Sequence, residues 1–256
     1  VTIQMDEPEQ GFEESRPTIL WLTGWSMPNT AFEHIRQWLP EYRHTYADYT
    51  HAGTAEEILR LAETAAGSLR ASRHIDPAKR EPSGRLLIAG WSLGGLLALR
   101  LASQGQADGL ILFGATAKFV RPKEERNLGW PDAYLKQMLG GLGKDRRAVE
   151  SKFRQLVFGE PCGALACLAA GSWSTPALAA GLEILRREEY LAELQRIGCP
   201  VLLFHGTEDK VCPFAAAEEL HRHLPRAKLV ALSGAGHVPF AGRETYIAEV
   251  IRSWWR

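Results

Sequence analysis

Two kinds of apolar pattern alternate along the chain. Short runs that are apolar almost throughout occur at 18–22 (TILWL), 85–90 (RLLIAG), 109–114 (GLILFG), 200–206 (PVLLFHG) and 227–232 (AKLVAL), with a weaker one at 43–48 (RHTYAD). These predict strands. Between them, apolar residues recur at helical spacing. The first such stretch is 29–39, with Asn29 or Thr30 as its N-cap. The second is 55–70, whose buried face would be Ile58, Ala62, Ala65 and Leu69. Further helices are expected at 96–103, 214–224 and 243–255, the last facing the core through Ile247, Val250, Ile251 and Trp254. Strands apolar on both faces, separated by helices, indicate a mostly parallel sheet covered on both sides, an α/β fold.

Residues 116–196 break the alternation. They hold no strand pattern, but Val149, Phe153, Leu156 and Val157 fall at helical spacing among glycines and prolines. The expected organisation is a sheet core at 1–115 and 197–256 with a helical lid, 116–196, inserted between.

Composition removes several function classes. Hydrophobic residues make up 45% of the 256, enough for a sizeable core. Lys and Arg total 30 and Asp and Glu total 30, so no global field favours nucleic acid or an anionic membrane. The acidic start lacks an apolar signal core, and the longest apolar run, 164–170, is too short to span a bilayer, which makes the cytoplasm the expected compartment. Cys162, Cys167, Cys199 and Cys212 form no C-x-x-C pair and no zinc spacing with histidine, so they read as reduced core or loop residues.

The candidate chemistry lies at Gly90-Trp-Ser92-Leu-Gly94, between a strand and a helix. Small residues let the chain bend sharply there and hold a serine at the strand's end, with the positive end of the helix dipole behind it. Alone, the pentapeptide also fits a tight turn with an incidental serine. A serine hydroxyl needs a base, itself oriented by a carboxylate, to act as a nucleophile. Two late strands end in loops that carry both: FHGTEDKVCP holds Asp209 with Glu208 beside it, and SGAGHVPF holds His237. The order Ser92, carboxylate, His237 is that of a known triad arrangement. The backbone N–H groups of Leu93 and Trp25, the latter in LTGWSMP after the first strand, are the candidate oxyanion donors. This chemistry requires no metal and no cofactor.

With GWSLGGLLAL, GW at 24–25, WPD at 130–132, GLEIL at 181–185 and GAGHVPF on the page, the chain resembles the α/β-hydrolase superfamily along nearly its whole length. Within it the likeness is to the biotin-pathway carboxylesterases that act on the methyl ester of pimeloyl-[acyl-carrier protein]. The resemblance implies that Ser92, Asp209 and His237 are catalytic and that Trp25 and Leu93 supply the oxyanion hole. It also implies that Trp25, Met138, Leu139, Leu142 and Phe153 line the substrate channel. Two departures stand out: Thr23 replaces the usual His before Gly24, and YTHAGTAEE lacks the usual Pro-Gly-x-Gly turn. General esterases, carbon–carbon bond hydrolases, cofactor-free haloperoxidases and non-catalytic binding proteins on the same scaffold are the alternative readings.

An acyl-carrier protein is acidic, so an enzyme that receives it should carry basic residues near the pocket mouth. Between 115 and 155 the chain holds ten basic residues against five acidic ones, in a chain of zero net charge. Arg146, Arg147, Lys152 and Arg154 are the expected carrier-protein contacts.

Overall fold

The computed structural model describes residues 16–72, 84–159 and 173–255. Strands β1 (Thr18–Leu22), β2 (Arg43–Tyr46), β3 (Leu86–Trp91), β4 (Gly109–Phe113), β5 (Val201–Gly206) and β6 (Ala227–Leu232) pair in parallel in the spatial order β2-β1-β3-β4-β5-β6. Residues of β3, β4 and β5 are buried throughout, as their unbroken apolar runs require, whereas edge strands β2 and β6 expose several positions. The chain runs outward from β1 to β2 and then crosses back to β3. The strand order therefore reverses between β1 and β3, and it is outside the C-terminal ends of strands at such a switch point that α/β sheets bind their ligands. The loop after β1 and the turn after β3 flank this point.

Helices α1 (Glu33–Gln37), α2 (Ala55–Ala71), α3 (Leu93–Ser103), α6 (Phe214–His223) and α7 (Glu244–Trp254) are the crossovers and the final cover of this sheet. Two local expectations need correction. Neither Asn29 nor Thr30 caps a helix; Pro28 precedes a single 3-10 turn, Asn29–Phe32, and no side chain caps it. On α2 the buried line is Ile58, Ala62 and Ala66, with Ala65 and Leu69 half-buried beside it. Steps of four residues keep one ridge against the core, and Ala65 falls about 60° from the middle of that ridge.

Between β4 and β5 the described residues form two α-helices, α4 (Asp132–Phe158) and α5 (Thr175–Arg187), which pack on each other. Helix α4 kinks at Asp145 (φ −150°, ψ 84°). The Asp145 carboxylate there accepts a hydrogen bond from Ala148 N at 3.0 Å and so caps the second half. Arg186 of α5 donates to Asp132 at 2.7 Å, which ties the WPD segment to α5 and holds the Asp132 carboxyl down to about 2. Buried Arg121 pairs with Glu219 of α6 and anchors the inserted segment to the core.

Among the described residues, no helix is long and apolar enough to cross a membrane and no cluster of side chains could hold a metal ion. Cys212 is buried and Cys199 half-buried, both as free thiols. Cys162, Cys167 and the apolar run 164–170 lie outside the described residues.

The turn between β3 and α3 depends on close backbone approach. A methyl group at Gly94 would overlap the carbonyl oxygen of Leu22 in β1. That neighbour is central-sheet backbone and cannot yield. Gly94→Ala should therefore cost roughly 3 kcal/mol or more, at the upper end of overpacking effects. A denaturation midpoint within error of the parent would contradict this packing.

Candidate active site

Ser92 follows β3 directly and adopts φ 56°, ψ −117°, a conformation that non-glycine residues rarely take. Its N–H donates to Phe113 O at 3.1 Å, and its carbonyl accepts from Gly95 N at 2.9 Å and Leu96 N at 3.2 Å. These bonds on both sides keep the strained residue in place.

Asp209 and His237 meet across two loops. His237 Nδ1 lies 2.8 Å from Asp209 Oδ2 and both side chains are buried. Since a carboxylate only accepts, Nδ1 carries the proton. Asp209 Oδ1 takes Val211 N at 2.8 Å and Cys212 N at 2.9 Å, so all of its directions are fixed. Burial pushes the Asp209 carboxyl up, but the positive character of His237, its hydrogen bond and the nearby His205 and Cys212 N outweigh that and leave it below the usual carboxylate range. Glu208, the other carboxylate of the loop, instead lines a groove beside the histidine loop. The other nitrogen of His237, Nε2, is buried and has no protein partner among the described residues.

The serine and the His–Asp pair share one sheet edge. Trp91 and Phe113 are register partners, so Ser92 and Gly114 are the next residues of adjacent strands, a spacing of about 4.8 Å. A side chain on Gly114 would stand 3.2 Å from both Asp209 Oδ2 and His237 Nδ1. Trp91 adds a direct tie, since its indole Nε1 donates to His237 O at 2.8 Å. The tryptophan before the serine thus positions the histidine loop.

The loop after β1 closes a turn, with Met27 N donating to Gly24 O at 3.2 Å. Gly24 abuts the serine: an added Cβ would lie 3.3 Å from Ser92 Cβ. The Trp25 N–H makes no backbone hydrogen bond among the described residues. Leu93 is the first residue of α3, where an N–H has no intrahelical acceptor. The Trp25 indole is buried; it donates to Leu178 O of α5 at 2.7 Å and meets the Phe153 ring edge-on at 5.0 Å. Gly181, the first residue of GLEIL, permits this approach, because a Cβ there would stand 2.8 Å from Trp25 Cδ1. Thr23 is fully buried and its carbonyl accepts from Tyr49 Oη at 2.6 Å, so the departure at this position is a supporting one.

A cleft of about 540 Å³ runs along α4, lined by Trp130, Tyr134, Met138, Val149, Phe153 and Lys210 among others. Of the expected channel residues, Met138 and Phe153 line it and Trp25 packs behind Phe153. Leu139 and Leu142 do not. Helical geometry puts 134, 138 and 141 on the cleft face and turns 135, 139 and 142 toward the core. The basic residues also divide. Lys144, Arg147 and Lys152 are exposed and make no ion pair among the described residues. Arg146 pairs with Glu150 at 2.7 Å. Arg154 is buried, with its guanidinium 5.3 Å over the Phe158 ring, and cannot serve as a surface contact. It shares the core-facing side of α4 with Phe153 and Val157.

Sequence reasoning passed over His205, a strand-end histidine whose Nε2 donates to Cys212 O at 2.7 Å and lies 3.4 Å from Asp209 Oδ2. Burial lowers its pKa from the usual imidazole value. It also treated Glu150 only as a charge offsetting the basic residues; its partner, Ser26, is 124 positions away and had no local signal.

A six-stranded parallel sheet, a strained serine after its third strand and a His–Asp pair at the same edge define an α/β-hydrolase architecture. Residues 19–251 match the alpha/beta hydrolase family model, and the chain belongs to that family. It is 34% identical over 235 residues to the pimeloyl-[acyl-carrier protein] methyl ester esterase of Nitrosomonas europaea, covering 88% of this chain and 90% of that protein. The protein of the same name from Aromatoleum aromaticum is 30% identical over 88% of this chain and 93% of its own length. Among solved structures, the esterase of Exiguobacterium antarcticum superposes with a TM-score of 0.77 over 94% of this chain and 92% of that one, at 22% identity, a likeness of fold.

Proposed function

We propose that the chain is a serine carboxylesterase that hydrolyses the methyl ester of pimeloyl-[acyl-carrier protein], with Ser92, His237 and Asp209 as its triad. The observation that carries the reading is the buried Asp209–His237 hydrogen bond, one strand away from a serine held at positive φ. Asp209 keeps the Nδ1 proton in place, so Nε2 is the basic nitrogen. Nε2 takes the Ser92 proton as Oγ attacks the ester carbonyl. The Trp25 and Leu93 N–H groups receive the developing oxyanion. The protonated imidazole then gives its proton to the leaving alkoxide, which departs as methanol. Water, deprotonated by the same nitrogen, attacks the acyl-enzyme, and the free acid leaves with Ser92 restored.

The 34% identity to a named pimeloyl-[acyl-carrier protein] methyl ester esterase supports the substrate. The exposed Lys144, Arg147 and Lys152 on α4 supply positive charge for an acidic carrier. The purified chain should release methanol from the carrier-bound ester. Lys144→Glu with Arg147→Glu should raise KM for that substrate roughly tenfold, while kcat/KM on p-nitrophenyl acetate stays within about twofold. Good turnover of free esters with none of the carrier-bound ester would instead indicate a general short-chain esterase.

A further inference from the structure

The turn that would present the Trp25 N–H has an unusual residue at its third position. In the four residues 24–27, Ser26 sits at φ 61°, where glycine is the residue without backbone cost. The serine is 1% exposed, and its Oγ donates to Glu150 Oε1 at 2.6 Å. Glu150 stands on the second half of α4, after the kink at Asp145, and is itself 5% exposed. Its other oxygen accepts from Arg146 Nε at 2.7 Å. A hydroxyl bonded to a buried carboxylate is among the stronger neutral-to-ion hydrogen bonds. The two flanking residues are held from elsewhere, Trp25 through its indole to Leu178 O and Met27 through its carbonyl to Trp173 Nε1 at 2.9 Å.

We propose that Ser26 and Glu150 are positioning residues for the oxyanion hole: the carboxylate on α4 holds the turn in its positive-φ form and thereby aims the neighbouring Trp25 N–H. The proposal rests on the reading of Trp25 as an oxyanion donor. A serine at this place accepts a backbone cost that glycine would avoid, and the hydroxyl that offsets it reaches only Glu150 among the described residues. The helix that lines the cleft is thus joined by one side chain to the backbone that meets the reacting carbonyl. Binding and transition-state stabilisation share α4.

Ser26→Gly tests this without threatening the fold, since glycine tolerates the backbone conformation and only the hydroxyl is lost. On a p-nitrophenyl ester, kcat should fall about tenfold, a fraction of the loss for a whole oxyanion donor, with KM within about twofold. Inactivation by a serine-directed phosphonate, whose adduct carries an oxygen in the same place, should slow in proportion. Glu150→Ala should match Ser26→Gly, and the double variant should lose no more than either alone. Glu150→Gln, which keeps an acceptor oxygen, should recover most of kcat. A folded Ser26→Gly enzyme with parental kcat and parental phosphonate reactivity overturns the proposal, as does a loss confined to KM. Ser92→Ala separates the two levels. If it remains active, the reading of the site itself fails; if it is inactive while Ser26→Gly is unaffected, only the positioning role fails.

Discussion

Ser92→Ala should lower kcat/KM on a short p-nitrophenyl ester by at least about 10⁴-fold, to the level that a binding site and an oxyanion hole sustain without a nucleophile. The fold should survive the change. The backbone bonds that hold residue 92 come from its own N–H and C=O, to Phe113 O and from Gly95 and Leu96, and alanine retains all three. The left-handed conformation costs alanine about what it costs serine. A circular dichroism melt near that of the parent, together with no covalent labelling by a phosphonate, would locate the defect in the chemistry. Substantial residual turnover in a folded variant would remove Ser92 from the mechanism.

Asp209→Asn is expected to cost about 10³- to 10⁴-fold in kcat/KM, through the tautomer of a histidine it does not replace. Both carboxylate oxygens act as acceptors, Oδ1 for Val211 and Cys212 N–H and Oδ2 for His237 Nδ1. An amide has one acceptor. With its oxygen toward the two backbone N–H groups, its NH₂ faces Nδ1, which must then accept. The imidazole proton moves to Nε2, the nitrogen that should take the serine proton. The pH behaviour follows from the direction of the carboxyl's shift. Asp209 is held below the usual carboxylate range, so it stays ionised through neutral and mildly acid pH. Its contribution to stability is complete above the unfolded value of about 3.9 and is lost as pH falls through the lower folded value. Relative to the parent, the asparagine variant should therefore be less stable at pH 7, and the difference should narrow only in strong acid. Parental activity in Asp209→Asn would return the carboxylate role to Glu208 or abolish it.

The strand runs and the small-residue turn around Ser92 are legible because each is a local property, and the order of serine, carboxylate and histidine because it is read along the chain without reference to packing. An apolar run long enough for one strand predicts that strand wherever its neighbours lie, and all six expected strands are present with bounds shifted by no more than two residues. The resemblance carried by GWSLGGLLAL and GLEIL agrees with the family match, and the structure supplies physical reasons for two of its residues. Trp91 holds the histidine loop, and Gly181 makes room for Trp25.

Tertiary structure decided whatever depended on the rotation of a helix or on a partner far along the chain. The resemblance put Leu139 and Leu142 in the channel and the excess of basic residues put Arg154 among the carrier contacts, but which side of α4 met the cleft followed from how that helix lies on the core. Nothing local separated Asp209 from Glu208; the approach of His237 from the next loop did. The Ser26–Glu150 hydrogen bond spans 124 positions and leaves no periodic trace, because it joins a turn to a helix that meet only after the sheet has formed. From the sequence alone came the sheet, the small-residue turn at Ser92 and the serine, carboxylate and histidine at the ends of its strands. The pairing of particular atoms and the hold of α4 on the turn at 24–27 came from packing, because hydrogen-bond distances are set by the surfaces that two elements present to each other.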